Sequence, residues 1–387
     1  MTTSPSLHLV IYSQLHDSGG GRETWLGYFL PQIAQGAEFS AIHVYALQPR
    51  DDCTSLLKMM ERLGIEAVLA DVNPGQRGGP LSNVARFALK TYRAMQSRVR
   101  DGDIVLLIGT VAEGVVAWLG MCGLSRRTKW VTWLRSIHVG ELATYRSGLL
   151  LFAARHIETR VLKQSNLVLA NGEDTLTYYT RKFPALRDRV RLVPNAVDGA
   201  RFRGLKRPSF SDRPLKIAYL GRLAKAKGFP DFTLAAERCG LADSQIEFHV
   251  WGGELPEPRS GGTIRCHGAF SPAQLPAVLA QVDAVVFLNR AAAGKAGGLS
   301  HSLLEVLASG RLAIAWENAS HCQILDPNCA ILVPEGDVTA LAGAFRSLPQ
   351  IEPHRLARIA REGELRSRRF SPEHHVHCFK MAMDSLA

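Results

Sequence analysis

GKAGGLSHSLLEVLASGR, residues 294–311, is the stretch that most strongly indicates the fold of the chain. Its glycines lead into Ser300, a favourable N-cap residue, and apolar residues then recur at Leu299, Leu303, Val306 and Leu307 before Gly310. This spacing predicts a helix whose N-terminus faces a glycine-rich loop, where free backbone N–H groups and the helix dipole favour an anion. Glu305, one turn in, could bind hydroxyl groups, and a phosphate beside vicinal hydroxyls suggests a nucleotide. An ordinary buried helix after a flexible loop would give the same local pattern.

Length and composition predict a globular protein of two domains. The chain has 387 residues, of which 46% are hydrophobic and 21% charged. Residues 1–14 lack a basic leader before the first apolar strand, and the longest apolar run, 148–154, is too short to cross a bilayer. Seven cysteines without a CxxC pair fit reduced thiols. We therefore expect a cytoplasmic protein without a membrane span.

The positive charge of the chain is concentrated in one segment. Residues 122–213 contain 18 Lys/Arg against 7 Asp/Glu, a difference equal to the whole net charge of +11. Nucleic acid, anionic lipid or a polyanionic substrate would each suit such a surface. No nucleic-acid motif accompanies the charge, so we expect no nucleic-acid partner and consider the inner face of an anionic membrane or a charged acceptor instead.

Strands and helices alternate along almost the whole chain. Besides the helix after Ser300, predicted helices lie at 22–35, 52–63, 81–98, 148–164, 174–182, 230–238, 272–281, 338–347, 355–366 and 372–386, and a polar loop carrying Arg135, Ser136 and His138 follows the strand at 130–134. Predicted strands lie at 7–12, 41–47, 66–70, 104–108, 130–134, 167–170 and 190–193, and again at 216–220, 247–251, 263–266, 284–288, 312–316 and 330–333. The pattern predicts an α/β fold of two Rossmann-like domains, 1–195 and 214–370, joined by a linker, 196–213. We expect the domains to face a central cleft, and a C-terminal helix, 371–387, that crosses back to the first domain.

Two loops at predicted strand ends could contact phosphate or sugar. Gly19–Gly21 follows the first strand but lacks the dinucleotide fingerprint. Residues 221–228, GRLAKAKG, carry Arg222 and Lys227 between a strand and a helix, where they could neutralise a diphosphate. A solvated basic turn is the alternative interpretation of this loop.

Two possible metal patterns are weak. Asp101 and Asp103 precede their strand, at the edge of the sheet opposite to the expected site, and are better explained by a helix-to-strand turn. His374, His377 and Cys378 could share a helical face, as ordinary amphipathic helices often allow. We expect no metal site.

The combination of motifs resembles retaining glycosyltransferases of family four, which have the two-domain GT-B fold. The motifs, in family order, are GRLAKAKG, VPNAVDGARF, VWGGELP, HGAFSPAQLPAVLAQVDAVVFLNR and GGLSHSLLEVLASGRLAIA. They cover mainly residues 193–334, and the first domain matches more loosely.

The resemblance implies a nucleotide-diphosphate-sugar donor on the second domain and an acceptor on the first. It implies that Arg222 and Lys227 hold the diphosphate and that Glu305 binds the ribose hydroxyls. The other implied donor contacts are the backbone of Gly298, Leu299 and Ser300 at the phosphate or sugar, and Ala269 and Phe270 beside the base.

Gly20, Gly21 and His138 would lie beside the transferred sugar, although a histidine with a purely structural role in a surface loop would give the same signal at position 138. The resemblance further implies a hexosyl or related transfer with retention of configuration, without metal or other cofactor. Arg222, Lys227 and His138 would then be the catalytic residues, because the chemistry needs charge stabilisation more than a strong base.

The sugar half of this site departs from the family pattern. Position 297 is glycine where the family has a glutamate eight residues before Glu305, and a later glutamate is replaced by Gln323. Glu317 is a possible substitute acid. From the resemblance as a whole we expect a glycosyltransferase that acts on a hydroxyl of a glycan, a lipid-linked acceptor or a small molecule. A non-catalytic nucleotide-sugar-binding partner subunit and a nucleotide-sugar epimerase remain as alternatives.

Overall fold

The computed structural model describes residues 4–17, 20–36, 38–49, 54–72, 80–124, 126–143, 148–240, 245–253, 264–290 and 297–386. The chain divides into two compact units. The first comprises Met1–Asn195, Ala293–Gly298 and Pro372–Ala387, and the second comprises Ala196–Ala292 and Leu299–Ser371. Gly19 and Gly294 lie outside the described residues.

Each unit is built around one parallel sheet. In the described part of the first unit the strand order is β3-β2-β1-β4-β5-β6-β7, with β1 Leu7–Val10, β2 Ile42–Leu47, β3 Glu66–Ala70, β4 Ile104–Leu107, β5 Lys129–Leu134, β6 Leu167–Ala170 and β7 Val190–Leu192. In that of the second it is β10-β9-β8-β11-β12-β13, with β8 Leu215–Leu220, β9 Ile246–Trp251, β10 Ile264–Cys266, β11 Ala284–Phe287, β12 Leu312–Glu317 and β13 Ile331–Pro334. Because each sheet is parallel, the carboxyl ends of its strands meet at one edge.

The helices follow the strands in the order that the sequence predicts, with two additions. They are α1 Gly21–Ala34, α2 Ser55–Arg62, α3 Pro80–Gln96, α4 Ala112–Gly123, α5 His138–Leu142, α6 Leu149–Gln164, α7 Glu173–Lys182, α8 Phe229–Cys239, α9 Leu275–Leu279, α10 His301–Ala308, α11 Val338–Ser347, α12 Pro353–Ser367 and α13 Pro372–Asp384. No helix among the described residues is long and apolar enough to cross a membrane.

The prediction missed α4 and placed α5 in a loop. Helix α4 is apolar on nearly every side, so it shows no helical periodicity. Its glycines allow close packing: a Cβ on Gly114 would lie 2.7 Å from Ile157, and one on Gly120 would lie 2.4 Å from Trp130. Glycines in a helix weaken its local signal, and here tertiary contacts explain them.

Helices cover both faces of each sheet. In the first unit α1, α2 and α13 share one core with Leu7 and Leu9, whereas α3, α4 and α6 share the other with Val10 and Val105. Alternate residues of one strand thus supply the two cores, as the pleat requires. In the second unit α8, α11 and α12 lie on one face, and α9 and α10 on the other.

The C-terminal helix α13 packs within the first unit, against α1. Trp25 donates its indole N–H to Nε2 of His375 at 3.0 Å, and His375 Nδ1 donates to the carbonyl of Pro194 at 2.5 Å. These two bonds require a neutral imidazole, and burial lowers the pKa of His375 to about 3. The predicted return of the last helix to the first domain is confirmed.

Candidate functional site

The loop after β8 is held by close backbone packing. A Cβ on Gly252 would lie 1.7 Å from the carbonyl oxygen of Gly221, and one on Gly228, at φ 74°, would lie 2.3 Å from that of Leu288. The loop is therefore packed between the ends of β9 and β11, the neighbours of β8 in the sheet. Only glycine fits at these two contacts.

Tyr219, near the end of β8, contacts this loop through its hydroxyl group. Its hydroxyl donates to the carbonyl oxygen of Arg222 at 2.7 Å, and the carbonyl oxygen of Lys227 lies 3.4 Å from the same hydroxyl. The side chains of Arg222 and Lys227 are exposed. Sequence reasoning did not identify Tyr219, because its alternation in the strand indicates only a core residue.

The predicted helix at Ser300 is confirmed as α10. The Ser300 hydroxyl accepts the backbone N–H of Leu303 at 3.4 Å, and the chain turns at Gly310, at φ 71°. Helix α10 starts beyond the carboxyl end of β11, so its N-terminus lies at the same edge of the sheet as the Arg222 loop. Leu299 is buried in the core beneath it.

Glu305 is paired with an arginine that lies far away in the sequence. Arg201 Nη1 donates to Glu305 Oε1 at 3.0 Å, and Arg201 Nη2 donates to the carbonyl of Pro272 at 2.7 Å. The side chain of Glu305 is 12% exposed and that of Arg201 30%. Burial raises the pKa of Glu305, whereas the charge and hydrogen bond of Arg201 act in the opposite direction.

Arg201 lies in the segment 196–213, which packs on the second unit. A short 3-10 helix, Gly199–Phe202, brings Arg201 to α10, and Phe202 and Phe210 are buried in the two cores of this unit. A lone Arg in a segment without periodicity gives no signal of its partner, so sequence reasoning passed over it.

An aromatic stack lies at the ends of β9 and β10. The rings of Trp251 and His267 stack at 4.0 Å between centroids, and His249 Nδ1 lies 2.9 Å from Nε2 of His267. Burial lowers the pKa of both histidines, and Glu247 opposes this for His249. The predicted base-contacting residues, Ala269 and Phe270, follow His267 after one glycine; Ala269 is exposed and Phe270 is half-buried.

Gln323, which stands where the family has a glutamate, lies in a hydrogen-bonded turn. The Gln323 side chain donates to the carbonyl of Ser320 at 2.7 Å, and His321 Nδ1 donates to that of Trp316 at 2.8 Å. Glu317, at the end of β12, is exposed. An acid at position 317 is therefore accessible at the carboxyl edge of the second sheet.

Gly297 and Gly298 belong to the first unit and pack closely there. A Cβ on Gly297 would lie 2.8 Å from Cγ1 of Ile137 and 3.2 Å from the hydroxyl of Thr175. The N–H of Gly298, at φ 89°, donates to both carboxylate oxygens of Asp174 at 3.0 Å. The glycine that replaces the family acid thus has a steric reason, and the Gly298 N–H is engaged by a carboxylate.

The other predicted residues of the first unit lie after β1 and β5. Gly20 is the N-cap of α1, and a Cβ there would meet nothing within 4 Å. Gly21 is the first residue of α1, and the next residue, Arg22, donates to Oε1 of the buried Glu113 at 3.1 Å. The backbone of His138 begins α5, and its side chain lies outside the described part of the structure.

Residues of the two weak metal patterns make contacts within the protein. Asp103 accepts the backbone N–H groups of Ser6 at 2.8 Å and Arg100 at 2.7 Å, in the turn before β4. Cys378 Sγ lies 3.5 Å from Nε2 of His374 on α13. Over the described ranges, no group of three His, Cys, Asp or Glu is arranged to hold a metal ion.

Known proteins share this fold. The family model "Glycosyl transferases group 1" matches residues 214–350. Sucrose-phosphate synthase from Thermosynechococcus elongatus is 16% identical with a TM-score of 0.74, covering 99% of each chain. Anabaena HepE in complex with UDP and glucose is 15% identical with a TM-score of 0.73, covering 98% of this chain and 99% of HepE.

A third solved structure, the lipopolysaccharide outer core galactosyltransferase WaaB, is 12% identical with a TM-score of 0.65 and covers 99% of this chain and 100% of WaaB. No curated protein sequence matches the chain. Because the sequence identities are low, these structural likenesses establish the fold alone. The chain therefore has the GT-B fold of two Rossmann-like domains, and its second domain matches the model of group 1 glycosyl transferases.

Proposed function

We propose that this protein is a retaining glycosyltransferase of the family-four type, which moves a hexosyl or related sugar from a nucleotide-diphosphate donor to an acceptor hydroxyl. The main support for the proposal is that the residues matched by the family model also contain groups suited to binding a diphosphate. Within residues 214–350 the exposed Arg222 and Lys227 and the capped start of α10 occupy one edge of one sheet.

Each of these groups has a definite task in the proposed reaction. Arg222 and Lys227 neutralise the charge that develops on the leaving diphosphate, and Glu305 accepts the ribose hydroxyls. His138, Gly20 and Gly21 contact the transferred sugar, and no metal or other cofactor takes part. Retention follows when the acceptor attacks the face from which the diphosphate departs.

The choice of donor and acceptor is guided by related proteins. HepE was solved in complex with UDP and glucose, so UDP-glucose is the first donor to test. WaaB is described as a galactosyltransferase of the lipopolysaccharide outer core, which supports a glycan or lipid-linked acceptor. We propose that the reaction takes place in the cytoplasm, at the inner face of the membrane.

A donor panel tests the proposal. The protein is incubated with UDP-, GDP- and ADP-sugars, with and without EDTA, and release of nucleoside diphosphate is measured. We expect slow hydrolysis of one donor that EDTA does not abolish, and an NMR spectrum that shows the retained anomer of the sugar.

Two substitutions locate the donor site. Arg222→Ala and Lys227→Ala should each weaken nucleoside-diphosphate binding by about 1.5–3 kcal/mol, roughly 10- to 100-fold in Kd, because each removes a charge-assisted contact. Arg358→Ala, an exposed arginine on α12, is the matched control. Unchanged affinity in both variants would disprove the diphosphate site, and binding without turnover would favour the non-catalytic subunit.

A further inference from the structure

One helix layer of the first unit exposes large apolar side chains on its outer face. Helices α3, α4 and α6 bury their inner sides in a common core with the sheet. Their outer sides expose five large hydrophobic residues, namely Leu81, Leu89, Trp118, Leu149 at 83% and Phe152 at 68%. Among the described residues of this unit, the opposite layer exposes only Met381 to a comparable degree. Five large apolar side chains exposed on one helix layer indicate an interaction surface.

The same face is positively charged and has no exposed acid on its helices. The cations are Arg86, Lys90 and Arg93 on α3 and Arg155, Arg160 and Lys163 on α6, and all six are exposed. The acids of these three helices are Glu113 and Glu158, which are buried and form ion pairs with Arg22 and Lys182. The outer face therefore presents apolar groups and positive charge together.

Helix α6 combines both features in one stripe. Leu149, Phe152, His156, Arg160 and Lys163 follow one another at intervals of three or four residues, so they project from the same side of the helix. The buried residues Ala154, Glu158, Val161 and Leu162 occupy the opposite side. A helix that exposes Leu and Phe beside Lys and Arg has the composition of an interfacial membrane helix.

We propose that the outer face of α3, α4 and α6 docks on an anionic phospholipid bilayer. The apolar side chains enter the headgroup region, where Trp118 has the amphipathic ring suited to that depth, and the six cations contact lipid phosphates. Self-association through this face would bring like charges together, which disfavours a second copy as its partner. The proposal deepens the membrane location proposed above by naming the surface and the lipid that it contacts, and it does not depend on the donor chemistry.

Vesicle flotation tests this surface with the full chain. Vesicles of pure phosphatidylcholine are compared with vesicles that contain phosphatidylglycerol at about 30 mol%, at low and high salt. We expect binding to the anionic vesicles only, weakened by salt. Leu149→Ser with Phe152→Ser, and separately Arg160→Glu with Lys163→Glu, should each reduce binding roughly tenfold or more.

Matched controls lie elsewhere on the protein. Met381→Ser removes an exposed apolar side chain from the opposite layer, and Arg358→Glu with Arg361→Glu makes the same charge change on α12. Both should bind anionic vesicles like the wild-type protein.

The proposal is overturned if the wild-type protein does not bind anionic vesicles, or if it binds pure phosphatidylcholine vesicles as well as anionic ones. Equal losses in controls and surface variants would also overturn it, as would a concentration-dependent dimer that Phe152→Ser dissolves. Donor hydrolysis without vesicles should be the same in wild-type and surface variants. Hydrolysis without vesicle binding refutes the surface alone, and vesicle binding without hydrolysis of any donor refutes the proposed function alone.

Discussion

The ion pair of Arg201 and Glu305 allows a quantitative prediction. Arg201→Ala leaves a carboxylate with a 12% exposed side chain without the guanidinium that lies 3.0 Å away. Removing one partner of a buried ion pair costs about 3–5 kcal/mol. Because Arg201 is itself 30% exposed, water screens the pair, and we expect a loss of roughly 2–3 kcal/mol in the free energy of unfolding at neutral pH.

The loss should depend on pH in a defined direction. The pKa of Glu305 is already raised by burial, so the folded state binds the proton more tightly than the unfolded state. Stability therefore falls as pH rises from the unfolded to the folded pKa. Without Arg201 the folded pKa rises further and this window extends upward, at about 1.4 kcal/mol for each additional unit. The difference between wild type and variant should be small near pH 5 and largest near pH 8.

Urea unfolding at these two pH values measures the effect. In a Glu305→Gln background the carboxylate is absent, so Arg201→Ala should cost less and should lose its pH dependence. Arg207→Ala, which removes a 55% exposed partner of Glu364, is the control and should cost about 1 kcal/mol or less. A destabilisation by Arg201→Ala that is equal at both pH values, or that persists unchanged beside Glu305→Gln, would refute the reasoning.

Two further predictions concern packing and acid stability. Gly297→Ala should destabilise the fold by about 1–3 kcal/mol, since its Cβ would lie 2.8 Å from Ile137, and Ile137→Ala should relieve this strain. Gly27→Ala is the control and should not destabilise the fold, because Gly27 is an exposed residue inside α1 with open space around its Cβ position. His375 has its pKa lowered to about 3, so the unfolded state binds the proton first and stability should fall as pH drops from 6.5 towards 3. His375→Gln should flatten this slope in urea midpoints measured between pH 7 and 4.5, and an unchanged slope would contradict the assignment.

Features with a local cause were predictable from the chain. The strand alternation, the cap at Ser300 and the glycine turn at Gly310 depend on neighbours within a few residues, and the structure confirms them. Helix α4 was missed for the complementary reason, since apolar residues on all sides erase the periodicity on which prediction depends. The α/β pattern therefore predicted two Rossmann-like domains even though two helices were overlooked.

Pairings across long sequence separations needed the folded chain. Arg201 meets Glu305 from 104 positions away, and position 297 must be small because Ile137 lies against it. The outer face of α3, α4 and α6 also depends on packing. The sequence shows the excess of positive charge in 122–213, but not that α3 adds three cations to the same helix layer or which apolar residues remain exposed there. Periodicity and capping report forces between near neighbours, whereas burial, ion pairing and exposed surface arise only when distant segments exclude water from one another.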